Sequence, residues 1–354
     1  MSTNQPLSET GIDTESRLKG TIRELRYSPT AIAGALIVGT LVVLAVFSTV
    51  DVVLFDKALI TAIHVDPHAM NPTETYSAPS LEHPMGTDNF GRDVLARVIY
   101  GSRIALAIGI IAVGISFLGG IAFGATAAYF GGYVDDAIMR ALEVLYSIPG
   151  LILAMTLMAI MGPSVYNLFI AYGVIGIPAY ARVMRSEVLS LREEEYVEAA
   201  RAAGLPNRII LFREIVPNGL AAVVVQGTLS MGGVIIGAAA LSFLTFGVQP
   251  PTASWGRMLN GAQEAMLIAP WVAVFPGLMI FFTVMGFNML GDGLRDAMDP
   301  RTTLWKADWD ELGDDLLPSE GASRDDPDPV ADSPATDGGV ERDGGNATER
   351  GRDE

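Results

Sequence analysis

Six apolar runs decide what this chain can become. They occupy 31–50, 104–129, 137–161, 165–184, 219–246 and 270–290. An α-helix needs roughly twenty apolar residues to cross a hydrocarbon core roughly 30 Å thick. Within lipid, every backbone N–H and C=O must find its partner inside the segment or in a neighbouring one. The expected fold is therefore all-α and integral to a membrane, with about six transmembrane helices. Length alone, 354 residues, allows about two soluble domains, but half the residues are hydrophobic and they are gathered into these runs, which excludes that reading.

The charges between the runs give the orientation. With the N-terminus inside, the inner segments hold Arg17, Lys19, Arg23 and Arg26, then Arg140, then Arg182, Arg185, Arg192, Arg201, Arg208 and Arg213, then Arg295, Arg301 and Lys306. The outer segments hold Lys57, Arg92, Arg97, Arg103 and Arg257. Basic residues of short loops favour the cytoplasmic side, so both termini are expected in the cytoplasm of a cell-membrane protein. The expected division is a cytoplasmic segment 1–30, a first span 31–50, an outer segment 51–103, a core 104–301 with five spans, and a tail 302–354. The first thirty residues are polar and mixed in charge, so the first run is expected to stay as an anchor.

The net charge of −17 lies largely in the last fifty residues, where many acids face four arginines. That stretch is rich in Asp, Gly, Pro and Ser. It has too little apolar surface to offset its ordering entropy, and disorder is expected. A solvated, self-repelling tail is the plain reading, and a basic partner the alternative. The excess of acids and the scarcity of lysine (Lys19, Lys57 and Lys306) also suggest a high-salt cytoplasm. The absence of cysteine excludes disulfides, thiolate nucleophiles and Cys-type zinc sites.

Candidate chemistry is sparse. None of the lysines stands in a P-loop pattern, and no GxSxG elbow or HExxH helix occurs. His64 and His68 have a spacing that suits a metal, but Pro67 breaks the helix that would align them, so a solvated loop and no metal are expected. Glu143 lies in the third run, where an ionisable group is a functional candidate by default. It has three readings: it lines a pathway, it stays wet at the inner interface, or it pairs with Arg140. Pro149 and Pro178 fall inside the third and fourth runs, where a proline removes a ladder hydrogen bond and kinks the helix. Either is a hinge or simply shape.

Packing signals are legible too. Gly109, Gly114, Gly119, Gly120 and Gly124 run along the second span, and small residues let helix backbones approach in lipid. Residues 85–103 read as an interfacial helix capped by Thr87 or Asp88, with Val94, Leu95, Val98 and Ile99 as its apolar face and Arg92, Arg97 and Arg103 among headgroups. Trp255 reads as an interfacial tryptophan in a proline-stiffened outer loop.

One inner segment is unlike the rest. EYVEAARAAGLPNRIILFREIVPN, from Glu195 to Asn218, is charged and rich in helix formers. A helix is expected from about 187 to 203, with Gly204 as the left-handed residue just past its end. Pro206 suits the first turn of a second helix, and Pro217 is expected to close that helix before the fifth span. The result is a helix–turn–helix at the inner mouth. Ala199, Ala200, Ala202 and Ala203 give it a low profile, and Glu198, Arg201, Arg208 and Arg213 ring it with charge. That is the form of a docking element; the alternative is an ordinary amphipathic helix on the membrane.

These residues also carry a resemblance. Glu198-Ala199-Ala200, three residues, Gly204 and then Pro217 are similar to the EAA loop of ABC importer permeases, with Glu214 departing from the usual apolar residue or histidine. MGTDNFGRDVLARVIYGSR, AYFGGYVDDAIMRALEVLYSIPGLILA, ALSFLTFGVQPPTASWGRML and GDGLRDAMDPR resemble, in this order, the signatures of the dipeptide/oligopeptide/nickel permeases, specifically the second of two permease subunits. The resemblance covers about 27–301. It implies the type I (MetI-like) importer permease fold, with Glu198, Ala199, Ala200, Gly204 and Pro217 coupling to ATPases. It implies four kinds of partner: a second permease, two cytoplasmic ATP-binding subunits, an extracellular substrate-binding protein and the lipid bilayer. It implies no cofactor, no nucleic acid and no hydrolytic activity of the chain's own. Peptide, nickel and sugar cargo stay open. From another class, a proton- or ion-coupled carrier using Glu143 and a non-transporting scaffold remain as rivals.

Overall fold

A computed structural model describes residues 25, 28–63 and 65–298 of the chain. The tail 302–354, nearly all of segment 1–30, and His64 lie outside the described residues. Among those described, the regular structure is helical: α1 Pro29–Leu54, α2 Val94–Phe130, α3 Gly132–Ser147, α4 Gly150–Met161, α5 Val165–Leu191, α6 Glu195–Ala202, α7 Val216–Phe243, α8 Trp255–Ala262 and α9 Trp271–Met298. Five helices are long and apolar enough to cross a membrane, and the α3–α4 pair makes six if it counts as one span. The expectation of about six spans in an all-α membrane protein holds.

The third run departs from a simple span. α3 and α4 meet at 90°, and the break is at Ile148 and Pro149. Ile148 is extended, with φ −87° and ψ 129°, because a following proline disfavours the helical region for the residue before it. Pro178, by contrast, sits buried inside α5, which runs through it unbroken. Sequence treats the two prolines alike. Pro178 is enclosed by neighbouring helices, whereas Pro149 is exposed.

Helix α2 organises the bundle. Its 37 residues span roughly 55 Å at 1.5 Å per residue. Its contact with α5 is the most extensive in the molecule, and α1, α7 and α9 complete the packing. At the centre of the α2–α5 crossing, Gly120 and Gly124 lie directly on the Tyr180–Ala181 backbone. Nearby, the Ser116 hydroxyl donates to the Gly173 carbonyl at 2.7 Å, a polar tie between helices where no water competes.

The N-terminal end of α2 corrects several expectations. There is no separate interfacial helix; one continuous helix begins at Val94. Its cap is Asp93, whose Oδ1 accepts from the Ala96 N–H at 2.7 Å, and not Thr87 or Asp88. Asp88 instead accepts from the Phe90 and Arg92 backbones and pairs with Arg92 at 2.7 Å. Arg92 and Arg97 are buried because the segment before α2 folds over them, so they do not lie among headgroups. Trp255 is also buried and donates its indole N–H to the Val98 carbonyl at 3.0 Å. Burial with a satisfied N–H is the interior use of tryptophan rather than the interfacial one.

The covering segment is held by a carboxylate–imidazole clamp. His83 Nδ1 lies 2.8 Å from Asp93 Oδ2 and Nε2 lies 3.3 Å from Glu74 Oε2, while the Thr87 hydroxyl donates to the Glu74 carbonyl. Burial opposes the charged ring, but the Asp93 and Glu74 carboxylates outweigh it and raise the His83 pKa. A histidine with a raised folded-state pKa contributes stability that is fully present below its unfolded value of about 6.5 and is lost as pH rises through the folded value. Hydrogen exchange of 74–93 is therefore expected to quicken as pH is raised above that point, beyond the intrinsic base catalysis of exchange. His83→Gln should remove this excess; a wild-type segment whose corrected protection is flat across the range would refute the clamp.

Candidate functional site

At the C-terminal end of α2 the charged insert takes its shape. α5 continues past the apolar run to Leu191, three residues break the helix, and α6 covers Glu195–Ala202. The expected single helix over 187–203 is thus two helices: its first part is the end of α5. Glu193 and Glu194 donate backbone N–H groups to Ser190 and Leu191 carbonyls in a tight turn, and Glu194 takes an extended conformation as the N-cap of α6.

The end of α6 matches expectation closely. Gly204 has φ +77°. The Gly204 N–H donates to Arg201 O at 2.9 Å and the Leu205 N–H to Ala200 O at 3.2 Å. This is the paired bonding of a Schellman motif, whose left-handed residue is normally glycine. Pro206 stands one position earlier than predicted, as N-cap, with the helical turn starting at Asn207.

Pro217 differs from expectation. It does not close a helix, because helical structure runs without interruption from Asn207 to Phe243. The run includes a widened turn over Ile210–Ile215, in which the Val216 N–H donates to Leu211 O, five residues back. A proline at 217 can neither donate to a regular ladder nor leave room for it; the widened turn just before it absorbs that mismatch. The fifth span therefore starts within the insert, and turn and span are one body.

The site has two faces. Glu198, Ala199, Arg201, Gly204, Arg208 and Pro217 are exposed, and Ala200 is half-buried. On the other face Val197, Ile210, Leu211 and Ile215 are fully buried against Ala125 and Ala128 of α2, Met184 and Val188 of α5, and Val223 of α7. Polar ties reinforce this seat. The Tyr129 hydroxyl donates to Asn207 Oδ1 at 3.0 Å, and the Arg192 guanidinium donates to the Ala128 carbonyl at 3.1 Å. Arg185 of α5 makes two hydrogen bonds, at 2.7 and 2.6 Å, to Asp135 of α3, a bidentate pairing that fixes orientation as well as distance. α6 is thereby packed against α2, α5 and α7 together, and Arg185 ties α5 to α3. Sequence reasoning missed Asp135, Arg185 and Val197. The apolar pattern of α6 marked Val197, but nothing in one sequence pairs residues fifty positions apart.

Glu143 and Pro149 are not among the buried residues that seat α6. Glu143 is exposed on α3, and among the described residues no ion pair joins it to Arg140. Tyr146, one turn on, carries the Arg182 guanidinium 3.8 Å above its ring. Among the described residues no group of three or more His, Asp or Glu is arranged to hold a metal ion.

The chain is similar to known proteins over most of its length. Residues 120–304 match the family described as binding-protein-dependent transport system inner membrane component. A dipeptide transport system permease protein, DppC, of Alkalihalophilus pseudofirmus is 39% identical over 298 residues, covering 84% of this chain and 94% of the relative. The glutathione transport system permease protein GsiD of Pectobacterium atrosepticum is 46% identical over 223 residues, covering 63% of this chain and 74% of the relative. GsiD of Escherichia coli O157:H7 is 46% identical over 225 residues, with 64% and 74% covered.

Proposed function

The chain belongs to the family of binding-protein-dependent transport system inner membrane components, and we propose that it is one of two permeases in an ATP-driven importer of short peptides. The names of the dipeptide and glutathione relatives support the peptide cargo. The partners are a second permease, two cytoplasmic ATPases and an extracellular binding protein. ATP is hydrolysed by the partners, and this sequence carries no P-loop.

The observation that carries the reading is the seat of α6. Glu198, Ala199, Ala200, Gly204 and Pro217 form or flank a low, exposed face, while Val197 and Ile210 root the same element in three spans. ATP closes the ATPase pair, α6 is carried along, and the spans tilt to alternate access. ATP shifts this equilibrium only by its differential affinity for the two states. Pro149, at the α3–α4 break, is the hinge of this movement, and Glu143 faces the pathway formed with the second permease.

Three measurements test this. The chain has no cysteine, so one engineered thiol is its only one. Ala199→Cys is expected to crosslink to an ATPase subunit. In whole cells a membrane-impermeant maleimide should label Leu81→Cys, fully exposed at the opposite end of α2, and should leave Ala199→Cys untouched until the membrane is opened. The reverse labelling pattern inverts the topology and removes the docking face from the cytoplasm. In proteoliposomes holding the complete importer, uptake that survives a hydrolysis-dead ATPase and collapses with the proton gradient supports the carrier reading instead.

A further inference from the structure

The opposite end of the molecule holds a pocket that the coupling site does not use. Its volume is about 240 Å³, and three arginines line it: Arg92 and Arg97 from the start of α2, and Arg257 from α8. Phe90, Met70 and Asn260 supply part of the wall. The charge there is unbalanced. Asp88 pairs with Arg92 at 2.7 Å and lies 3.6 Å from the Arg97 Nε, so one carboxylate serves two guanidiniums. Arg97 is 2% exposed, and its Nη1 donates to the Pro67 carbonyl at 3.2 Å. Its buried Nε has no hydrogen-bond partner, and neither does the buried Nη1 of Arg257.

A buried guanidinium N–H without an acceptor is costly even where the rest of the group is partly exposed or paired, and guanidiniums match carboxylates in shape as well as charge. The pocket already has the acceptor it needs for Arg92 and lacks one for Arg257. We propose that this pocket is an anion site that takes the free carboxylate of a peptide cargo as it enters the pathway. Its form favours a small ligand: it is concave and mostly apolar with a few convergent polar groups, as ligand sites are. A surface for docking a whole protein is flatter, with charge kept to its rim. The inference rests on the peptide-importer reading and on the insert lying inside.

The test uses the assembled importer in nanodiscs, without binding protein. Radiolabelled trialanine, trialanine amide and acetate are each assayed for equilibrium binding. Trialanine and acetate are expected to bind, and the amide about tenfold or more weakly, as loss of a charge-assisted contact implies. Arg257→Gln should bring trialanine down to the level of the amide, and Arg257→Lys should restore part of the difference. The Arg257 side chain has no internal hydrogen bond to lose, and ATPase activity of each variant confirms that it is assembled. Equal binding of acid and amide overturns the proposal, as does trialanine binding that ignores Arg257, or no binding of trialanine at millimolar concentration. If Arg257→Gln weakens docking of cargo-free binding protein and leaves trialanine binding intact, the carboxylate belongs to that protein and the cargo assignment falls. An importer that takes up peptide with ATP but fails these tests loses only the pocket; one without ATP-driven uptake loses the importer reading itself.

Discussion

Gly204→Val is expected to leave the chain inserted in the membrane and to lower ATP-driven uptake about tenfold or more, while the ATPases continue to hydrolyse. The cause is backbone conformation alone. Gly204 holds φ +77°, and an added Cβ there meets nothing within 4 Å. A left-handed L-residue costs roughly 1–2 kcal/mol, with a β-branched side chain at the upper end, and each 1.4 kcal/mol is about a factor of ten in an equilibrium. α6 has only eight residues, so it has little else with which to hold its end. Losing the Gly204 and Leu205 bonds releases the exposed alanine face from its fixed angle to the spans. Gly204→Asn is the control, because asparagine tolerates the left-handed region, and it should retain most uptake. Wild-type uptake in Gly204→Val would mean that α6 needs no fixed angle, and the coupling role would fall with it.

A larger effect on folding is expected at the α2–α5 crossing. A Cβ at Gly120 would stand 2.9 Å from the Ala181 nitrogen and closer still to the Tyr180 Cβ; one at Gly124 would stand 3.0 Å from the Ala181 carbonyl carbon. These are backbone and first side-chain atoms that cannot swing aside, so the helices must part. Overpacking of a filled interior costs about 1–3 kcal/mol and sometimes more, and in lipid close packing is itself a main source of association. Gly120→Leu should therefore prevent a folded, assembled permease, read as loss of the monodisperse complex after detergent extraction. Gly114→Leu, on the same helix, meets nothing within 4 Å and should assemble normally. Equal behaviour of the two variants would show that the glycines serve something other than this contact.

The contrast between those glycines marks the reach of sequence reasoning. All five were visible as a small-residue pattern, but the pattern did not say which of them touch a partner, because contact depends on the rotation of α2 against α5. The turn at Gly204 was legible because its cause is local: a helix end that needs a left-handed residue, with glycine the residue that takes it cheaply. Pro217 does not close a helix as its type suggests, because its effect depends on what precedes it, and a widened turn six residues long leaves no mark in composition. Residue type alone suggests the interface for Arg92, Arg97 and Trp255, yet the two arginines are buried under a covering segment held by His83, Asp93 and Glu74, and Trp255 is buried against Val98 and Gly101 of α2.

Sequence by itself determined that this chain lives in lipid, about how many spans it has, and where a short helix ends at Gly204. Each of these follows from a short stretch meeting a solvent or a dihedral limit, and such limits act locally. Only the tertiary structure decided which face of each helix is filled, that the insert is rooted in three spans through Val197 and Ile210, and that Arg92, Arg97 and Arg257 meet in one pocket where a single carboxylate serves two of them. Those outcomes depend on residues brought together from far along the chain, and their energies arise only once the helices have packed.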